Sequence, residues 1–206
     1  MQVEIAGPVG KLIGELEEPS GPPRAAALVC HPHPRGGGTM RNTIVVRTAR
    51  ALRRGGLATL RFNFRGVEGS EGEHDGAREI EDARAAAAEL LARHPGLPLW
   101  AAGYSFGSRI AAELALGDAG VERLVLIAFP GKLYDAGFLA RLGVPCLVVA
   151  GEADEFGTAA DLRRAMPVLP RELELVEIAG ADHFFRGRTP LVEEAVRRYA
   201  SSALER

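Results

Sequence analysis

The five residues Gly103-Tyr104-Ser105-Phe106-Gly107 have the composition of a nucleophile turn. They follow the apolar run Leu97–Ala102 and precede a helical stretch, so Ser105 falls at a strand–turn–helix junction. In that setting a G-x-S-x-G pattern lifts the serine hydroxyl on a sharp turn. Glycines two residues to either side remove Cβ atoms that would clash. A glycine-rich turn with an incidental serine has the same five letters; the strand before it and the helix after it favour the nucleophile.

A serine hydroxyl attacks poorly at neutral pH and needs an adjacent base. The histidines are His31, His33, His74, His94 and His183, and only His183 follows Ser105. It stands in Ala179-Gly180-Ala181-Asp182-His183-Phe184-Phe185, between the last apolar run and the last helical stretch. Acid and base follow the nucleophile in the chain when it sits on this kind of turn. A third group must orient the imidazole and stabilise its cationic form. The candidates are Glu152, Asp154, Glu155 and Asp161; Asp154, in Gly151-Glu152-Ala153-Asp154-Glu155-Phe156, is best placed, with Glu152 and Glu155 as rivals in the same loop. Asp182, next to the base, reads as a residue that fixes its own loop. A tetrahedral intermediate also needs backbone donors. Phe106, directly after the serine, is one candidate. The other belongs to His31-Pro32-His33-Pro34-Arg35. Proline has no N–H, which leaves His33 or Arg35.

Eight short apolar runs alternate with longer helical stretches. Strands are expected at Val3–Ala6, Lys11–Glu17, Ala25–His31, Leu57–Phe64, Leu97–Gly103, Val121–Phe129, Val144–Gly151 and Glu172–Ile178. The first two alternate in polarity around Gly7-Pro8 and read as an antiparallel edge hairpin. From Ala25 onward most are near-continuous apolar runs, as in parallel strands buried on both faces. Helices are expected at Asn42–Arg54, Ala77–Arg93, Phe106–Leu116, Ala159–Met166 and Leu191–Leu204. In the last of these, Glu193 and Arg197, and Glu194 and Arg198, are spaced for i,i+4 pairs opposite Leu191, Ala195 and Tyr199. Such alternation builds one mostly parallel sheet with helices on both faces, whose ligands bind at the carboxyl ends of the strands.

These residues together resemble the α/β-hydrolase superfamily over nearly the whole chain. The likeness is closest to a compact bacterial group similar to dienelactone hydrolases and small acyl esterases. It rests on four segments: His31-Pro32-His33-Pro34 with Gly37-Gly38-Thr39-Met40; Arg61-Phe62-Asn63-Phe64-Arg65-Gly66; Gly103-Tyr104-Ser105-Phe106-Gly107; and Gly180-Ala181-Asp182-His183-Phe184-Phe185. The resemblance implies Ser105, Asp154 and His183 as a triad. It also aligns His33 with the second oxyanion donor, beside Phe106. Dienelactone hydrolase itself has cysteine where Ser105 stands, so its substrate does not carry over. Only about fifteen residues separate Phe129 from Val144, too few for a helical cap domain. An open site flanked by Tyr104, Phe129, Phe184 and Phe185 is expected. The expected chemistry is hydrolysis of a small-molecule ester or thioester without a cofactor. A peptidase or perhydrolase on the same triad, or a non-catalytic binding protein, are the rival readings.

The remaining features set limits. The 206 residues suit a single domain spanning 1–206, as a monomer or homodimer. A net charge of -2 offers no basic field for nucleic acid. No apolar run nears the roughly 20 residues that span a bilayer. Cys30 and Cys146 lie in apolar runs as buried hydrophobes rather than a disulfide framework, and the N-terminus lacks signal-peptide regions; a cytoplasmic location is expected. His31 and His33 form an H-x-H pair, but no nearby ligand completes a metal site. Gly36-Gly37-Gly38-Thr39 lacks the G-K-[ST] ending of a phosphate loop. Arg65, among many carboxylates, reads as a structural ion pair more readily than as a contact for an acidic substrate.

Overall fold

The structure is a computed structural model that describes residues 1–205. Eight strands form one sheet: β1 (Gln2–Gly7), β2 (Gly10–Glu17), β3 (Ala25–Cys30), β4 (Leu57–Phe62), β5 (Leu99–Tyr104), β6 (Val121–Ile127), β7 (Cys146–Gly151) and β8 (Leu173–Ile178). Their spatial order is β1-β2-β4-β3-β5-β6-β7-β8. β1 pairs β2, and β2 pairs β4, antiparallel; all other pairings are parallel. This is the α/β-hydrolase fold. Five helices cover it: α1 (Thr43–Arg54), α2 (Glu79–Arg93), α3 (Phe106–Leu116), α4 (Ala159–Ala165) and α5 (Thr189–Leu204).

The apolar runs make two cores because successive strand residues point to opposite faces. In β3, Ala26, Leu28 and Cys30 join the core under α2, α3 and α4. Ala25, Ala27 and Val29 join the one under α1 and α5. β5 and β7 divide in the same way, Leu99 and Val148 to one side and Trp100 and Val149 to the other.

Strand ends differ from the sequence expectation by a residue or two, and the difference builds the site. His31, Asn63, Phe64, Ala128 and Phe129 leave the sheet. The Phe64 N–H donates to His31 Nε2 at 3.1 Å instead of continuing the ladder. Asn63 accepts the Met40 N–H on its side chain, and Arg61 donates to the Met40 carbonyl, so this segment holds the loop after β3. Arg65 is 1% exposed. Its guanidinium reaches both Asp82 oxygens, Glu81 and the Arg78 carbonyl. It is a structural ion pair, made with α2 rather than with its own loop.

β8 is an edge strand, paired only with β7, and its residues are mostly half-buried or exposed. One expectation is corrected. On α5, Glu193 does not pair with Arg197; it gathers Arg47, Arg50 and Arg54 from α1. Arg197 pairs with Glu194 instead, one turn back at i,i+3. Leu191 is exposed, and Val192, Val196 and Ala200 take the buried face. The helix is rotated by its packing against α1, which the heptad spacing alone does not specify.

His31 is fully buried and uses both ring nitrogens: Nε2 accepts from Phe64, so Nδ1 donates to the Pro32 carbonyl at 2.7 Å. Burial pushes its pKa down from 6.5 to about 4. The folded state therefore holds His31 neutral, while the unfolded chain takes up a proton below pH ~6.5. The resulting stability is complete above about pH 6.5 and is lost as pH falls towards 4. It is of order 3 kcal/mol by linkage. The Tm of the wild type should drop over that interval, and His31→Gln should flatten the drop; scanning calorimetry of both proteins between pH 4 and 7 measures it.

Candidate active site

Ser105 ends β5 and caps α3 with φ 54° and ψ -120°. A non-glycine residue reaches such angles only when its surroundings over-determine them. Here they do. The Ser105 N–H donates to the Ile127 carbonyl at 2.9 Å, and its own carbonyl accepts from the Ser108 N–H and hydroxyl. The flanking glycines are required by contact. A Cβ on Gly103 would lie 2.0 Å from the Gly107 carbonyl oxygen, and one on Gly107 2.3 Å from that of Cys30.

The turn directs the hydroxyl at the last loop. His183 Nε2 lies 2.9 Å from Ser105 Oγ, and His183 Nδ1 lies 2.9 and 2.8 Å from the two Asp154 oxygens. With Asp154 ionised, Nδ1 donates and Nε2 is left to accept the serine proton. Asp154 is 1% exposed and also accepts the Phe156 N–H at 2.8 Å, which fixes its rotamer. Its loop neighbours do other things. Glu152 accepts the Gly180 N–H, and Glu155 is exposed. Asp182 accepts the Arg186 N–H and guanidinium and so ties its own loop. Tyr104 donates to the His183 carbonyl at 3.0 Å, and Phe156 packs edge-on to the imidazole at 4.7 Å.

The loop after β3 spends its backbone N–H groups unevenly. The Arg35 N–H is taken by His33 Nδ1 at 3.1 Å. Those of Gly36 and Gly38 go to the His33 carbonyl, and that of Gly37 to Pro34. Pro32 and Pro34 have none. Of the two candidates, His33 is the one whose N–H has no protein acceptor among the described residues. The His33 ring packs on Phe106 at 5.1 Å and edge-on to His74 at 4.7 Å. This contact brings the loop against the head of α3, where the Phe106 N–H begins the helix. Burial, His74 and Arg35 hold the His33 pKa below its usual value, which keeps Nδ1 an acceptor.

A cavity of about 410 Å³ opens over Ser105. The loop after β3 contributes Pro32, His33, Arg35 and Asn42; later loops contribute Leu133, Phe156 and Phe184, with Tyr104 and His183 beneath. Phe129 and Phe185, expected at the site, are fully buried elsewhere. Phe129 packs on Phe138, on the α3 side of the sheet, and Phe185 packs in the core under α1 and α5. The chain leaves the sheet at Ala128 with φ 47° and turns Phe129 inward. Arg35, Asn42, Leu133 and Phe156 are cavity residues that the sequence reading missed. Phe156 could have been found two residues past Asp154; Leu133 lies where a cap would be inserted. Among the described residues, no group of three or more His, Cys, Asp or Glu side chains could hold a metal ion. Nor is any helix long and apolar enough to cross a membrane.

The alpha/beta hydrolase domain family matches residues 25–200, and the chain belongs to that family. It is 33% identical over 208 residues to an uncharacterized protein of Rickettsia prowazekii, covering 96% of this chain and 87% of that one. An alpha-beta serine hydrolase homologue from Coxiella burnetii superposes with TM-score 0.90 at 36% identity, covering 97% of this chain and 96% of that one. An a/b serine hydrolase without lid from Xanthomonas campestris gives 0.89 at 32%, covering 98% and 94%. These relatives support hydrolase activity in general.

Gly107→Ala should be costly, because the obstructing atom is backbone and cannot swing away. Overpacking of this kind costs about 1–3 kcal/mol. Thermal unfolding followed by circular dichroism should show Tm several degrees lower than wild type; an unchanged Tm would mean that α3 is free to retreat from β3.

Proposed function

We propose that this protein is a serine hydrolase that cleaves small carboxylic esters or thioesters through an acyl-enzyme on Ser105. The observation that carries the reading is the unbroken path Ser105–His183–Asp154, with contacts of 2.9 and 2.8 Å. Ser105 Oγ attacks the substrate carbonyl as His183 Nε2 takes its proton. Asp154 holds the imidazole in the accepting tautomer and stabilises the imidazolium. The carbonyl oxygen, now an anion, is received by the N–H groups of Phe106 and His33. As the tetrahedral intermediate collapses, His183 delivers the proton to the departing alkoxide or thiolate. Water then attacks the acyl-serine with His183 as base, releasing the carboxylic acid and restoring Ser105. Every proton is returned within the cycle, so the residues suffice without a cofactor.

An ester or thioester suits the cavity better than a peptide. At about 410 Å³ it is at the small end of ligand pockets, which run to roughly 300–1,000 Å³. Tyr104 and Phe184 remain in the proposed pocket, joined by Leu133 and Phe156.

Ser105→Ala should lower kcat on a soluble ester by about 10⁴–10⁶ while leaving the fold intact. Mass spectrometry after fluorophosphonate treatment should find the adduct on Ser105; an adduct on another serine, or undiminished turnover of the alanine variant, would reject the mechanism.

The acid is tested separately. Asp154→Asn should lose a few orders of magnitude in kcat, because an amide in that position can reverse the imidazole tautomer; the best-studied triad loses about 10⁴. Glu152→Gln and Glu155→Gln should change kcat far less. Turnover of the three variants, each confirmed folded by circular dichroism, decides which carboxylate serves His183.

A further inference from the structure

The cavity over Ser105 is asymmetric in charge. Among the described residues no Asp or Glu lines it, although the chain holds 27 of them. Arg35 lines it and is its one permanently charged residue. Arg41, next to Asn42, is paired with Glu68, and Arg186, which stacks on Phe184, is paired with Asp182. The Arg35 guanidinium makes no ion pair, hydrogen bond or ring contact among the described residues. It is nevertheless close enough to act on His33, whose imidazolium it disfavours.

Asn42 lines the same cavity and supplies a second unspent donor. Its Oδ1 accepts the Ile44 N–H at 2.9 Å and caps α1. That bond fixes which end of the amide is oxygen, and Nδ2 is left without an acceptor. An unpaired guanidinium and an oriented amide N–H therefore share one small cavity with the nucleophile. Leu133, Phe156 and Phe184 give the same cavity an apolar wall.

Resting on the ester-hydrolase reading above, we infer that the substrate is an acidic ester, whose anionic oxygens are received by Arg35 and Asn42. Its carbon skeleton lies against Leu133, Phe156 and Phe184. A carboxylate and a phosphate present the same acceptors to a guanidinium fork, so acidic oxygen is the shared chemistry.

The test compares acidic and neutral esters of matched size on the wild-type enzyme. Monophenyl adipate against phenyl hexanoate places the charge on the acyl side. 4-Acetoxybenzoate against its methyl ester places it on the alcohol side, and 4-acetoxyphenyl phosphate replaces the carboxylate by phosphate. The kcat/KM ratio, acidic over neutral, should exceed about tenfold in at least one pair, the worth of one charge-assisted hydrogen bond. It should shrink between 0.01 and 1 M salt, as the screening length falls from about 30 to about 3 Å. Arg35→Gln should bring the ratio near one, and Arg35→Lys should keep part of it. Asn42→Asp keeps a good helix cap but replaces the donor by a negative charge; it should invert the ratio with little change in Tm. Equal loss on both esters in Arg35→Gln would assign Arg35 to the oxyanion and overturn the inference. So would a wild-type ratio of one or less, with ester hydrolysis itself left standing. If no ester is turned over, the hydrolase reading fails and takes the inference with it.

Discussion

Three backbone segments touch beneath Ser105: the end of β5, the first turn of α3 and the end of β3. The Gly107 and Cys30 backbones approach so closely that no side chain fits between them. That approach accompanies a Ser105 backbone conformation that chirality disfavours, held by donation of its N–H to the Ile127 carbonyl and by the Ser108 N–H and hydroxyl donating to its own carbonyl. The small residues of β3 and β5, Ala26 and Ala101 among them, let α3 lie close to the sheet. Loosening this contact would move the Ser105 hydroxyl relative to His183 Nε2.

The second requirement is a loop after β3 that does not move. It obtains rigidity from itself and from below. Two prolines restrict it, and His33 accepts from Arg35 on its side chain and from Gly36 and Gly38 on its carbonyl. His31 ties its start to Phe64, and Asn63 and Arg61 tie its end at Met40. Nearly every N–H in the stretch is consumed by these turns. The His33 N–H is left facing no protein acceptor, which is the condition a preorganised donor must meet. Buried polar side chains therefore serve the site at one remove: Arg61, Asn63 and Arg65 follow one another at alternate positions, and each holds a loop or helix beside it.

The short segment between β6 and β7 adds Leu133 to the cavity mouth in place of a cap. The site stays open on that side. At its rim stand Arg35, Leu133, Phe156 and Phe184.

Much of this was legible in the sequence because it depends on local rules. Strand–helix alternation follows from residue period, and the two core faces follow from strict alternation within β3, β5 and β7. The glycines around Ser105 and the prolines around His33 announce their backbone geometry directly. His183 was found by elimination, since no other histidine follows Ser105. The carboxylate was not decided that way: Glu152, Asp154 and Glu155 share one loop, and only tertiary packing turns Asp154 inward against the imidazole while the others face water. Whether the His33 or the Arg35 N–H is left unspent was likewise not legible, because it depends on where those groups donate once the loop has folded. Phe129 and Phe185 were misplaced because an aromatic residue beside a site and one in the core beneath it look alike in sequence. Their direction is set by backbone angles at Ala128 and Phe185. The partners of Glu193 were missed for a related reason: helical spacing says which residues can meet along one helix, whereas α1, packed alongside α5 from a distant part of the chain, offered three arginines at shorter reach. Periodicity and turn chemistry are properties of neighbouring residues and survive in the sequence; side-chain direction and long-range pairing depend on how the elements pack, and exist only once the chain has folded.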